Sequence, residues 1–264
     1  MSEPATPTSS DLSPAGPAAV VPPALEFHDV SKTFKDGTRA LDRTSLTVAP
    51  GEFVTVVGPS GCGKSTLLRV ASGLERPTTG SVTVDKRSLG YVFQDATLLQ
   101  WRTVHKNVGL FAELDKMPKA QLLTRVQENI DLVGLNGFED KYPKQLSGGM
   151  KMRASLARSL VMDPNVFLFD EPFGALDEIT RERLNDELIG LFQRKGFGAL
   201  FITHSIYEAV FLSTRVLVMS ARPGRVVGDV SVPFPYPRRH DLRYEPAFGT
   251  LTGHVSRVLR EAHA

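Results

Sequence analysis

Residues Gly58 to Thr66 read Gly-Pro-Ser-Gly-Cys-Gly-Lys-Ser-Thr. The spacing of glycine, four residues, glycine, lysine and serine is that of a phosphate-binding loop. Its neighbours constrain it further. Glu52 to Val57 is a β-branched and aromatic run that predicts a buried strand entering the loop. Leu67, Leu68, Val70 and Ala71 open a helical pattern leaving it. Between strand and helix, Gly58, Pro59, Ser60, Gly61, Cys62 and Gly63 can turn backbone N–H groups around a polyphosphate, and the helix N-terminus adds its positive dipole end. Lys64 then supplies a charge to the outer phosphates, the Ser65 hydroxyl is placed for Mg²⁺, and Thr66 closes the motif. The one cysteine, Cys62, reads as a small side chain filling space rather than a redox centre.

The chain of 264 residues is long enough for one large α/β domain or two small ones. A net charge of +2 does not point to nucleic acid, and a single cysteine excludes an internal disulfide framework, which fits a reducing compartment. No apolar run approaches the roughly 18 residues that span a bilayer. Residues 1–23 are rich in Pro, Ala, Ser and Thr, without the basic start and apolar stretch of a secretion signal, and read as a disordered tail. The expectation is a cytoplasmic protein that is not integral to a membrane.

Strands are expected at Ala24–Val30, Ser45–Val48, Ser81–Val84 and Leu89–Phe93, the last two bridged as a tight local hairpin. The middle of the chain changes to helical patterns. Ala120–Val133 places Leu122, Leu123, Val126, Ile130 and Val133 on one face, and Ser147–Met162 is a second helix. Strand texture returns at Val166–Phe169, Ala199–Thr203 and Arg215–Met219. Asp177–Lys195 between them is an amphipathic helix with Ile179, Leu184, Leu188, Leu191 and Phe192 inward, stopped by Gly196. This order predicts an α/β P-loop NTPase core: a mostly parallel sheet with flanking helices, a small antiparallel β part and an inserted helical subdomain. One domain would occupy 24–230, with its core at 24–94 and 163–230 and the helical subdomain at about 95–162. Residues 231–264 would be an extension with Pro- and Arg-rich sequence at Val232–Arg239 and a last helix at Phe248–Ala262.

Val166-Phe167-Leu168-Phe169-Asp170-Glu171 is an apolar strand ending in two acids. Downstream of a phosphate loop, Asp170 can hold Mg²⁺ through a water and Glu171 can take a proton from an attacking water. Leu146-Ser147-Gly148-Gly149-Met150 reads as a helix N-terminus with a serine cap, which is an anion site. His204 follows the strand Ala199–Thr203 at its C-terminal end, where α/β sheets place ligands.

In that order, Gly58–Thr66, Gln94, Leu146–Met150, Val166–Glu171, Ala175-Leu176-Asp177 and His204 resemble the ATP-binding subunit of ABC transporters, over about Leu25 to Val227. Within that family, Phe93–Leu99 followed by Trp101-Arg102-Thr103-Val104, and Glu171–Asp177, are similar to importers of nitrate, sulfonates and taurine. The resemblance implies ATP and Mg²⁺ as cofactors and a head-to-tail sandwich of two subunits, identical or paralogous. It implies that Gln94 senses the γ-phosphate and Mg²⁺, and that Ser147, Gly148 and Gly149 reach ATP held by the opposite subunit. It further implies Glu171 as general base, His204 orienting water or γ-phosphate, Asp177 signalling across the dimer, and Phe34 stacking on adenine. Implied partners are transmembrane permease subunits, contacted through Ala96–Val108 with Leu98, Leu99 and Trp101 exposed, and an extracytoplasmic solute-binding protein. No nucleic acid is implied. The location implied is peripheral, on the cytoplasmic face of the inner membrane.

Met150, Lys151 and Met152 depart from the family pattern, in which many relatives have glutamine first, and the connection Asp85–Leu89 is short. A rival reading is a soluble ABC-type ATPase not coupled to transport. Against it, Gln94 and Ser147 stand only 53 residues apart, leaving no room for a long coiled coil, and the chain holds one cassette rather than two.

Overall fold

A computed structural model describes residues 22–262. In chain order the elements are β1 (Leu25–Thr33), β2 (Arg39–Val48), β3 (Phe53–Val57), α1 (Lys64–Ala71), β4 (Thr79–Val84) and β5 (Leu89–Val92). Then come α2 (Val104–Val108), α3 (Leu110–Leu114), α4 (Lys119–Leu132), α5 (Gly148–Leu160), β6 (Val166–Asp170) and α6 (Glu178–Lys195). The chain continues through β7 (Gly198–Ile202), α7 (Ile206–Leu212), β8 (Arg215–Met219), β9 (Val226–Ser231) and α8 (Pro246–Glu261). The tail expected at 1–23 lies outside the described residues, apart from Pro22 and Pro23. Among the described residues no helix is long and apolar enough to cross a membrane.

Six strands form the main sheet in the order β5-β6-β7-β3-β8-β9, parallel except for the antiparallel β9. Its central strands are buried on both faces, as parallel strands covered by helices must be. Alternation sorts them. Phe53, Phe167, Phe169 and Phe201 point to one side, where their rings pack with centroids 5.4 to 6.4 Å apart under the helices of the insertion and α6. Val54, Val56, Leu168, Leu200 and Ile202 point to the other, against α1 and the three-stranded antiparallel sheet β2-β1-β4. The mixed sheet, flanking helices and small antiparallel part are those of the expected fold class.

Register fixes where chemistry can sit. Val56 pairs with Ile202, and Ile202 with Asp170, while Val92 pairs with Phe169. The residues following β3, β5, β6 and β7 therefore all leave from one edge of the sheet, at the strand C-termini.

Four expectations are corrected. β4 and β5 do not form a hairpin: β4 pairs with β1 and β5 pairs parallel with β6, because the short 3₁₀ turn Lys86–Ser88 carries the chain from one sheet to the other. Ile179 is 83 % exposed, since it sits in the first turn of α6, before the helix meets the core. Leu123 is exposed because α4 turns it outward, leaving Val126 and Ile130 as its buried stripe. Leu98 is only 7 % exposed and joins the main core, so it is not surface.

The Pro- and Arg-rich stretch at 232–239 has a structural task. Arg238 is buried and donates to the carbonyls of Val210 (3.0 Å), Phe211 (2.6 Å), Ser213 (2.6 Å) and Phe234 (2.9 Å). The Tyr236 hydroxyl donates to Leu212 O. Together they satisfy the orphan carbonyls at the end of α7. Arg243 lies over the Phe211 ring and pairs with Asp186 of α6 at 3.0 Å. Replacing Arg238 by Leu leaves these carbonyls buried without donors, so the urea midpoint should fall by an amount equivalent to about 3 kcal/mol at unchanged m value.

Candidate active site

The loop after β3 carries its conformation in its glycines. Gly63 has φ +112°, and a Cβ there would stand 2.5 Å from the carbonyl oxygen of Ala40 on β2. Only glycine allows the loop to press this close to the antiparallel sheet. Lys64, almost wholly buried, donates to Gly58 O and Pro59 O at 2.9 Å each, which anchors the ammonium under the loop. Cys62 is buried with its sulfur against Gly58, as a space filler should be, and burial pushes its thiol pKa up, away from thiolate chemistry.

A cleft of about 650 Å³ in total opens over this loop. Ser60, Gly61, Gly63, Lys64, Ser65 and Thr66 line it, with Phe34 and Thr38 from the β1–β2 turn, Ala40, Glu171 and Arg222. Phe34 is therefore a rim residue and not a core one. The Lys32 ammonium sits 5.1 Å from its ring centroid, a cation–π contact at the rim of the cleft.

At the end of β6 the two acids diverge. Ser65 Oγ donates to Asp170 Oδ1 at 2.9 Å, and Tyr91 OH reaches Asp170 Oδ2 at 3.4 Å. Burial, with the neighbouring Glu171 charge, pushes the Asp170 carboxyl above its ordinary range, against the bond from Ser65. Glu171 adopts φ +46°, a left-handed conformation costly for a side-chain-bearing residue. Its N–H is held by Ile202 O at 3.0 Å, and its Oε2 lies 3.1 Å from His204 Nδ1. A hydroxyl and one carboxylate are hard oxygen ligands, the set Mg²⁺ takes when phosphates complete its shell. Among the described residues no cluster of three or more His, Cys, Asp or Glu forms a self-sufficient metal cage.

The remaining predicted residues lie elsewhere. Gln94 is exposed just beyond β5, beside the end of β6 by register. Ser147 caps α5 by accepting from Met150 N at 3.3 Å, but it does not line the phosphate cleft of its own chain. Gly148 and Gly149 face the start of α6: added Cβ atoms would meet Leu176 and Thr180 side chains at 3.2 Å. Asp177 caps α6 through Thr180 N at 3.0 Å. Met150 packs against the core and Met152 is buried within it, so these two departures from the family pattern are absorbed as core packing, while Lys151 between them is only partly buried.

Sequence reasoning missed three contributors. Arg222, on the turn after β8, donates to Gly61 O through Nε (3.0 Å) and Nη2 (2.9 Å). Tyr91 reaches Asp170 across neighbouring strands. Arg158 of α5, buried, donates to Ala96 O (3.1 Å) and Thr97 O (2.9 Å), so it ties the helix capped by Ser147 to the loop following Gln94. Only the last carried a signal, an arginine on the apolar side of a helix.

Residues 41–174 match the family model described as ABC transporter. The chain belongs to the ABC transporter family. An uncharacterized ABC transporter ATP-binding protein of Methanocaldococcus jannaschii is 47 % identical, covering 81 % of this chain and 84 % of its own. The aliphatic sulfonates import ATP-binding protein SsuB of a Bacillus cereus strain is 41 % identical, covering 81 % and 88 %. A solved dimeric ATP-binding cassette in a post-hydrolysis state with ADP and Pi superposes with TM-score 0.71 at 31 % identity, covering 80 % of this chain and 100 % of that one. The structure of cbiO1 from Clostridium perfringens, part of the ABC transporter complex cbiONQ, gives TM-score 0.74 at 26 % identity, covering 89 % and 99 %. This ABC protein is an ATP-binding subunit and an ATPase.

Gly63→Ala should lower ATP affinity by about tenfold or more, because the strained loop must withdraw from β2. Gly137→Ala provides the control in equilibrium dialysis. It has the same positive sign of φ (+82°) but open surroundings, and should bind ATP as wild type does.

Proposed function

We propose that this ATPase powers an importer of a small anion of the sulfonate or nitrate-like class. It works from the cytoplasmic face of the inner membrane, as a pair of ATP-binding subunits beneath transmembrane permease subunits. The observation that carries the pairing is the separation within one chain. Ser147, Gly148 and Gly149 do not line the phosphate cleft of their own chain, which fits a second copy or a paralogue bringing that helix N-terminus to the cleft. The solute class rests on similarity to aliphatic sulfonates import proteins. A solute-binding protein on the far side of the permease belongs to the same reading.

For the permease, the support is surface chemistry. Trp101 is 73 % and Leu114 70 % exposed on the segment between β5 and β6, where Phe111 is also open. Exposed apolar residues clustered on one part of a molecule mark an interaction site. In this reading residues 95–162 form a helical subdomain that carries the permease contact, and 24–94 with 163–230 form the nucleotide-binding core.

Lys64 and the loop N–H groups bind and orient the phosphates, and Phe34 stacks on the base. Ser65, Asp170 and Gln94 would hold Mg²⁺, which when bound neutralises charge developing on the phosphoryl oxygens. Glu171 takes the proton from the attacking water. His204, with Nδ1 3.1 Å from Glu171 Oε2, is placed to aim that carboxylate and to orient water or the γ-phosphate. Asp177, capping α6 beside Leu176 and Gly148, sits where a signal could pass between paired subunits. ATP can drive closure only through higher affinity for the closed pair.

Glu171→Gln should slow hydrolysis by about 10²-fold or more while ATP binding persists. With ATP and Mg²⁺ this variant should elute as a dimer and recover a polytopic membrane protein from native membranes in stoichiometric amount. Recovery of soluble factors alone, from well-extracted membranes, would move the assignment to a soluble ABC-type ATPase.

A further inference from the structure

His204 is an exposed side chain (56 %), so packing restrains its imidazole little and the backbone that carries it must do so. That backbone is closed into a ring. The Ser205 N–H donates to Thr203 Oγ1 at 3.0 Å, and the Thr203 hydroxyl donates to Glu208 Oε2. The Glu208 N–H donates in turn to Ser205 Oγ at 3.3 Å. Ser205 is the N-cap of α7 and Glu208 its third residue. In an ordinary capping box the carboxylate at that position bonds the N-cap N–H directly. Here a threonine hydroxyl is interposed, and the ring reaches back across His204 to clasp it from both sides. Glu208 is 5 % exposed and no step of the hydrolysis uses it. A buried carboxyl is costly unless its partners matter. The far end of α7 is fixed by Arg238 and Tyr236, so the helix that bears Glu208 is anchored at both ends.

We propose that Thr203 and Glu208 are positioning residues for His204. Their hydroxyl–carboxylate bond sets the turn that brings the imidazole to 3.1 Å from Glu171. The inference rests on the role given above to His204 and Glu171, and the test separates the two.

The experiment measures turnover and ATP affinity in the 264-residue chain for Thr203→Val, Thr203→Ser and His204→Ala, with Thr203→Val also placed in the His204→Ala background. Val keeps the shape and removes the hydroxyl. It should lower kcat about tenfold and leave the ATP Kd within about twofold, since misplacement rather than binding is at stake. Ser should restore kcat. In the His204→Ala background Val should cost nothing further, as expected for two residues acting through one group. Wild-type kcat in Thr203→Val, or a full further loss in the double variant, would overturn the proposal. Wild-type turnover in His204→Ala would instead overturn the role of His204 beneath it. Should Thr203→Val fail to fold, Glu208→Gln and Glu208→Met decide. Gln keeps an oxygen for the Thr203 hydroxyl and should retain more turnover than Met, and equal loss in both would overturn the proposal.

Discussion

The backbone ladder joining β3, β7 and β6 is the constraint on which the site depends. Its register sets Val56 level with Ile202 and Ile202 level with Asp170. From those three strand ends the chain departs as the phosphate loop, as His204 and as Glu171. A slip of one residue in any of them would turn its apolar side chains to the opposite core and move its reactive group by a strand step. The phenylalanines on one face and the aliphatic residues on the other hold that register, because each face accepts only its own set. The packing that makes the sheet stable is thus the same packing that aligns the chemistry.

What could be read from the sequence follows from how local each cause is. The phosphate loop was legible because strand, glycines, lysine and helix follow one another directly in the chain and each has a local reason. That the paired acids and His204 stand together at strand ends was legible because a strand end is a local feature and parallel sheets gather strand ends. The hairpin between β4 and β5 was misread for the opposite reason. Nearness in sequence argued for pairing, while the true partners, β1 and β6, lie far away in the chain. Ile179 and Leu123 fit a helical stripe by spacing, yet the neighbouring elements stop short of them. Arg222, bonded to a carbonyl 161 residues away, had no local signal at all.

Two kinds of restraint act on the edge of the sheet proposed as catalytic. Glu171 is held in a left-handed conformation that its own side chain disfavours, and the bond from its N–H to Ile202 O keeps it there. Arg158 binds the helix behind Ser147 to the carbonyls that follow Gln94. The first fixes a carboxylate in direction. The second ties together two surfaces expected to meet different neighbours.

The staple at Arg238 also bears on how the protein is made. Residue 238 is polymerised after residue 212, so a nascent chain already contains α7 and His204 while the carbonyls that Arg238 and Tyr236 will satisfy are still open to water. Until that segment leaves the ribosome, the helix carrying Glu208 lacks its anchor. The edge proposed as catalytic therefore reaches its finished form late in synthesis, after the phosphate loop and the central ladder have been produced.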